Sequence, residues 1–183
     1  MDITQLVNDH AEELLRYAIG RVSERADAED LVQETFIAAH RSANDFKGDS
    51  SPKTWLYGIL KHKVLDHHRK VFRQPKQVEV GDEWQDAFFD AAGHWRMDAR
   101  PQTWTEEPHL LDDPAFNSQL SSCIEQLPPK QGTAIRLKYQ QDMDSDTIRQ
   151  ELGITATNYW QLLHRAKLQL RQCLETNWFS RQG

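Results

Sequence analysis

Apolar side chains recur every three to four positions over most of this chain, a spacing that predicts helices. Leu6, Val7, Leu14, Leu15, Ala18, Ile19 and Val22 set out a first helix, and no proline occurs before Pro52. A second helix is predicted over residues 27 to 42, with Ala28, Leu31, Val32, Thr35 and Ala39 on its core face. Residues 44 to 51 break the pattern with Gly48 among polar neighbours and read as a loop. Ser51-Pro52 then supplies an N-cap and a proline at the first helical position. The helix it opens runs to about Phe72, burying Leu56, Ile59, Leu60 and Val64 while showing Lys53, Lys61, Lys63 and Lys70.

Between Gln74 and Pro114 the periodicity dissolves into a stretch with four prolines and two glycines. Trp84, Trp95 and Trp104 make it too aromatic for a pure linker, so a mostly irregular connector with a few anchored rings is expected. Helical spacing resumes at Leu120, Ile124 and Leu127, stops at Pro128-Pro129, and restarts through Ala134, Ile135, Leu137 and Tyr139. Asp142 to Asp146 reads as a turn. Ile148 and Leu152 serve a short helix, Gly153 suits the left-handed residue beyond its end, and Tyr159, Leu163, Ala166, Leu170 and Cys173 or Leu174 mark the buried stripe of a long last helix. A short helix, a glycine turn and a helix with a polar face predict a helix-turn-helix, whose second helix can enter a DNA major groove. The expected fold is all-α, with two small helical domains at residues 1–73 and 115–183 joined by an acidic linker at 74–114.

Charge refines this picture. The net charge of −6 is unusual for a nucleic-acid binder, so affinity must come from local basic surface. Residues 53 to 76 carry seven Lys/Arg against Asp66 alone, whereas 79 to 113 carry ten acids against Arg96 and Arg100. The first 35 residues hold nine acids and three arginines. Cys123 and Cys173 are the only cysteines and lie far apart in sequence, which indicates neither a disulfide framework nor a cysteine zinc site. Two partly buried, inert thiols in a reducing cytoplasm are expected. No apolar leader and no run of 18 apolar residues occurs, so secretion and membrane insertion are not expected.

Two blocks together resemble a bacterial sigma factor of the extracytoplasmic-function group. The first is Asp27-Ala28-Glu29-Asp30-Leu31-Val32-Gln33-Glu34-Thr35-Phe36, with Phe46 and Thr54-Trp55-Leu56 downstream; the second runs from Leu127-Pro128 through Leu163-His164-Arg165-Ala166. The resemblance implies that the helix bearing Asp30, Gln33 and Glu34 docks on the clamp helices of the largest subunit of core RNA polymerase. Ile37 and Arg41 share that face, three and four residues on, opposite the core stripe.

The same resemblance assigns the loop with Asn44, Asp45, Phe46 and Lys47 to capture of a flipped minus-10 base. Lys53, Trp55, Tyr57, Lys61, His62, Arg69 and Lys70 would hold the displaced strand through phosphate contacts and stacking, although the position of Trp55 also fits the core. For the minus-35 element, Thr157, Asn158, Trp160, Gln161, His164, Arg165 and Lys167 are the candidates. Gln161 suits adenine edges, His164 guanine or phosphate, and Trp160 a thymine methyl, with Arg165 and Lys167 on phosphates. Family members commonly carry basic residues where Trp160 and Leu162 stand here, which implies fewer phosphate contacts. The resemblance further implies an anti-sigma factor, a monomer when free, no cofactor and no catalytic residue, the polymerase supplying the chemistry.

Two other functional classes bear on the same residues. His62, Asp66, His67 and His68 could be imagined as metal ligands of a nuclease, but no matching motif accompanies them, and solvated or phosphate-contacting histidines are expected instead. No Walker-type phosphate loop and no Gly-x-Ser-x-Gly elbow occurs. A one-component helix-turn-helix regulator that works without polymerase is the main alternative.

Overall fold

The computed structural model describes residues 3–73, 88–92, 94–101 and 109–181. Among them are seven α-helices and no strand beyond an isolated bridge between Phe89 and Trp95. The helices are α1 (Ile3–Ile19), α2 (Arg25–Arg41), α3 (Pro52–Arg73), α4 (Pro114–Glu125), α5 (Pro129–Ile135), α6 (Ser145–Leu152) and α7 (Ala156–Asn177). The expected all-α class is what the chain adopts. Trp84 and Trp104 lie outside the described residues.

The chain forms two compact units. One gathers residues 1–73 and 133–155, the other 74–132 and 156–183. In the first, α1, α2 and α3 bury Leu14, Ala18, Ala28, Leu31, Val32, Phe36, Ala39, Leu56, Leu60 and Val64 in one cluster. The buried Thr35 hydroxyl donates to the Leu31 carbonyl at 2.7 Å, which removes the cost of a polar group in this core. Ser51 caps α3 as expected, its hydroxyl accepting from the Thr54 amide at 3.1 Å.

The same unit holds the end of α5 from Thr133 on, a π-helical turn at Arg136–Gln140, and α6. Asp144 caps α6 by accepting from the Thr147 hydroxyl and, at 2.8 Å, from the Thr147 amide, and that pair of bonds holds its carboxyl below the ordinary value. Gly153 ends α6 at φ 66°, with the Ile154 amide bonded to the Arg149 carbonyl and the Gly153 amide to that of Gln150. This is the left-handed helix stop predicted at that residue. A Cβ at Gly153 meets nothing within 4 Å, so Gly153→Ala carries only the backbone penalty. That substitution is expected to cost about 1–2 kcal/mol, and Gly153→Asn less, as read from urea midpoints.

In the second unit α4 lies against α7. Asp113 and Pro114 open α4, the Asp113 carboxylate accepting from Ala115 at 2.8 Å. Phe116, Cys123 and Leu174 form its buried centre, flanked by Leu110, Leu120, Leu170, Trp178 and Phe179. The described part of the connector is anchored here: Arg171 donates to the Ala99 carbonyl at 2.7 Å and sits 4.6 Å from the Trp95 ring centroid. Phe89 lies against Trp95, centroids 4.5 Å apart.

Cys123 and Cys173 are joined by a disulfide, their Cα atoms 5.9 Å apart. This corrects the expectation of two free thiols. Fifty residues separate the two in sequence, and only the pairing of α4 with α7 brings them together. His68 is a second correction. Rather than being solvated, it is 2% exposed.

Candidate protein and nucleic-acid interfaces

α2 presents two opposite faces. Ala28, Leu31, Val32, Thr35 and Ala39 are buried, while Asp30, Gln33, Glu34, Ile37 and Arg41 are all exposed. Ile37, at 52% exposure, is an apolar side chain set among acids with no role in the core. Glu34 is held by Lys63 of α3 at 2.9 Å, and that bond keeps its carboxyl below the ordinary value. A groove between α2 and α3 is lined by Asp27, Asp30, Glu34, Lys63, Asp66, His67, Arg69 and Lys70. The α2 wall is acidic and the α3 wall, Asp66 apart, is basic, which gives the two helices faces of opposite charge.

The loop before α3 is pinned by one ring contact. Phe46 packs on Trp55 with centroids 4.9 Å apart, so the ring of Trp55 is spent on the core and on Phe46. Asn44, Asp45 and Lys47 remain exposed around this anchor, and Gly48 takes φ 78°. On α3, Lys61, His62 and Lys70 are exposed. Other strand candidates have partners within the first unit. Lys53 pairs with Glu13 at 2.7 Å, and Arg69 with Asp66 and Glu151. Tyr57 is half-buried, edge-on to Tyr17 at 5.1 Å, and burial raises its pKa. Tyr57 and Trp55 are therefore poor stacking platforms as they stand, whereas the lysines can exchange a carboxylate for a phosphate at little cost.

α7 separates its faces cleanly. Tyr159, Leu163, Ala166 and Leu174 are buried; Thr157, Asn158, Trp160, Gln161, His164 and Lys167 are exposed, and Arg165 is intermediate. Trp160, at 57% exposure, leans on Tyr159 with ring centroids 5.2 Å apart. Leu162, one of the two positions singled out for lacking a basic residue, is buried. Its apolar character therefore serves packing.

These surfaces coincide with two family matches. The Sigma-70 region 2 family model matches residues 6–74, and the Sigma-70 region 4 model matches residues 117–170. An RNA polymerase sigma factor of Haemophilus influenzae is 34% identical over 88% of this chain and 84% of its own. Identity to the extracytoplasmic-function sigma factor SigW of Bacillus subtilis is 30%, over 94% of this chain and 87% of that one. The chain belongs to the extracytoplasmic-function group of RNA polymerase sigma factors. To the sigma factor HrpL of Pseudomonas syringae it is 27% identical, over 94% and 87%. In a solved complex from Bartonella quintana, the sigma factor RpoE, bound to the anti-sigma factor NepR, aligns over 96% of this chain and 98% of that one at 23% identity and a TM-score of 0.43, a likeness too loose to carry an argument.

The role of this sigma factor is promoter-directed transcription initiation, which leaves the polymerase-independent regulator without support. Region 2 spans α1 to α3, so the α2 face, the loop and α3 all fall within it. Region 4 holds α4 to the middle of α7 and ends three residues short of Cys173. No group of His, Cys, Asp and Glu placed to hold a metal occurs among the described residues. No helix among them is long and apolar enough to cross a membrane.

In sequence Lys63 is one more displayed base, yet its bond to Glu34 ties the α2 face to the basic helix. The signal was present, a base and an acid on neighbouring amphipathic helices, but only the packing of α2 on α3 identifies the pair.

Proposed function

We propose that this sigma factor docks on the clamp helices of core polymerase through Asp30, Gln33, Glu34, Ile37 and Arg41. The observation that supports it best is the exposure of all five on one side of a helix whose other side is core. An apolar residue ringed by charges suits an interface centre with a polar rim. Residues 1–73 act as the docking and minus-10 domain, 115–183 as the minus-35 domain, and 74–114 as the linker.

Around the minus-10 element, Asn44, Asp45, Phe46 and Lys47 form the base-capturing loop, with Phe46 fixing its position through Trp55. Lys53, Lys61, His62, Arg69 and Lys70 follow the phosphates of the opened strand. Because Arg69 and Lys53 already hold carboxylates, strand binding proceeds by exchange of partners. At the minus-35 element, Gln161 and His164 read base edges while Thr157, Asn158, Arg165 and Lys167 position the helix on the backbone. The chain works in the cytoplasm as a non-catalytic monomer, without a cofactor, and an anti-sigma factor covers the docking face when it is inactive.

Transcription by sigma-free core polymerase on a promoter library tests this reading. Transcripts that depend on the chain and share two upstream elements are expected; none from folded protein with competent core would overturn it. In the same assay, Gln161→Ala with His164→Ala should lower transcription from minus-35-dependent promoters by about 30-fold or more, two base contacts contributing roughly 1–3 kcal/mol each. Core binding by the double variant should be unchanged.

A further inference from the structure

The disulfide between Cys123 and Cys173 is not used by docking or by DNA reading. It joins the last turn of α4 to the last turns of α7, Cys123 lying within the region 4 match and Cys173 beyond its end. Phe116 and Trp178 close around it edge to face, with centroids 5.3 Å apart. The two sulfurs are unequally placed. Cys123 is 1% exposed, whereas Cys173 is half-buried and reachable from solvent. Each sulfur has its own amide donor: Gln119 Nε2 stands 3.7 Å from Cys123 Sγ, and Asn177 Nδ2 stands 3.5 Å from Cys173 Sγ. Asn177 is itself fixed by donating to the Cys173 carbonyl at 2.9 Å.

Donors of this kind stabilise a thiolate, the form that attacks and the form that leaves. We propose that Cys123 and Cys173 are a reversible redox site, closed by hydroperoxides and opened by dithiols, which sets how firmly the end of α7 is held on α4.

In closing, the Cys173 thiolate attacks a peroxide oxygen, the O–O bond breaks, and a sulfenic acid forms as one water leaves. Cys123 then attacks the Cys173 sulfur, its proton leaving with the hydroxyl as a second water. Two thiols have lost two electrons and hydrogen peroxide has gained them. In opening, one thiolate of the dithiol attacks Cys173, the more accessible sulfur. Cys123 departs as a thiolate beside Gln119, and the second thiol of the reductant resolves the mixed disulfide. The reductant ends as its own disulfide.

The crosslink closes a long loop, so its loss should be felt mainly through the unfolded chain. The site stands independently of the proposed DNA contacts, because its readouts are thiol content and melting.

The test uses the full chain in excess reduced dithiothreitol, then after stoichiometric hydrogen peroxide, with thiols counted by alkylation and mass. Two thiols should appear in the reductant, disappear with peroxide and return on re-reduction. The reduced form should melt roughly 5–10 °C lower than the oxidised form. Asn177→Ala should slow closure by peroxide several-fold and leave the melting difference in place. The double variant Cys123→Ser, Cys173→Ser should melt at one temperature in both conditions; if it does not fold, the wild-type comparison carries the test. Two thiols persisting after peroxide, a crosslink surviving excess dithiothreitol, or equal melting of both forms would each overturn the proposal.

Discussion

A chain carrying Asp30→Ala and Gln33→Ala is expected to lose affinity for core RNA polymerase by about 100-fold while its helical content and melting stay as they are. Both side chains are exposed on α2, opposite Leu31, Val32 and Thr35, so neither supports the core. Hydrogen bonds to charged groups in a desolvated interface contribute roughly 1.5–3 kcal/mol each, and two of them at the low end already give a factor of about 100. Ile37→Asp should act at least as strongly, since it places a charge where an apolar anchor would be buried. Arg41 stands at the end of the helix, where a rim contact is expected, so Arg41→Ala should matter less. Titration of labelled chain with core enzyme measures all of these. Unchanged affinity of the Asp30/Gln33 pair would remove docking from this face, and a loss accompanied by unfolding would show that the residues belong to the core.

The helices of the first unit were legible because binary patterning and caps coincide there. Leu14, Leu56, Leu60 and Val64 fall at helical spacing and are fully buried, and Ser51-Pro52 starts α3 where a cap followed by proline should. Gly153 was legible for the same reason, since one residue type fits its conformation. The two faces of α2 and of α7 follow from periodicity, which is why the candidate contacts on them are exposed, the half-buried Arg165 excepted. The π-helical turn at Arg136–Gln140 carries no sequence signature that separates it from a continuing α-helix.

What depended on long-range packing was not legible. Trp55 offers an aromatic ring to a basic helix in sequence, but in the structure Phe46 and the core have already claimed it. The cysteines gave no local spacing to read, because their nearness is a property of α4 on α7. His68 looked like one of a run of polar residues near a basic helix end. Its burial arises because Thr133 and Gln141, 65 and 73 residues away, close over it.

That burial predicts an acid sensitivity of the first unit. His68 Nδ1 lies 3.4 Å from the Thr133 hydroxyl and Nε2 lies 3.4 Å from the Gln141 amide nitrogen. Burial first, then the nearby His67 and Arg136, push its pKa down from 6.5 to about 3, against a weaker opposing backbone hydrogen bond at Arg21. The neutral ring is thus the native form. Between pH 6.5 and about 3 the unfolded chain binds a proton that the folded chain refuses, so stability rises with pH over that window and is lost on acidification. From pH 7 to pH 5 the loss from His68 should be about 2 kcal/mol. His67, half-buried, shifts in the same direction and adds a smaller loss of the same sign. The carboxyls of Glu13, Glu34 and Asp144 are held low and withdraw their contributions only near and below their ordinary values of 4.5, 4.5 and 3.8, so pH 5 to 7 isolates the histidines. His68→Gln keeps a polar side chain that does not titrate. Urea midpoints at pH 7, 6 and 5 should fall steeply for the wild type and much less for that variant, whatever the variant costs at pH 7. Parallel lines for the two proteins would mean that His68 accepts its proton in the folded state as readily as in the unfolded chain, and that the pocket of Thr133 and Gln141 opens to water without loss of the fold.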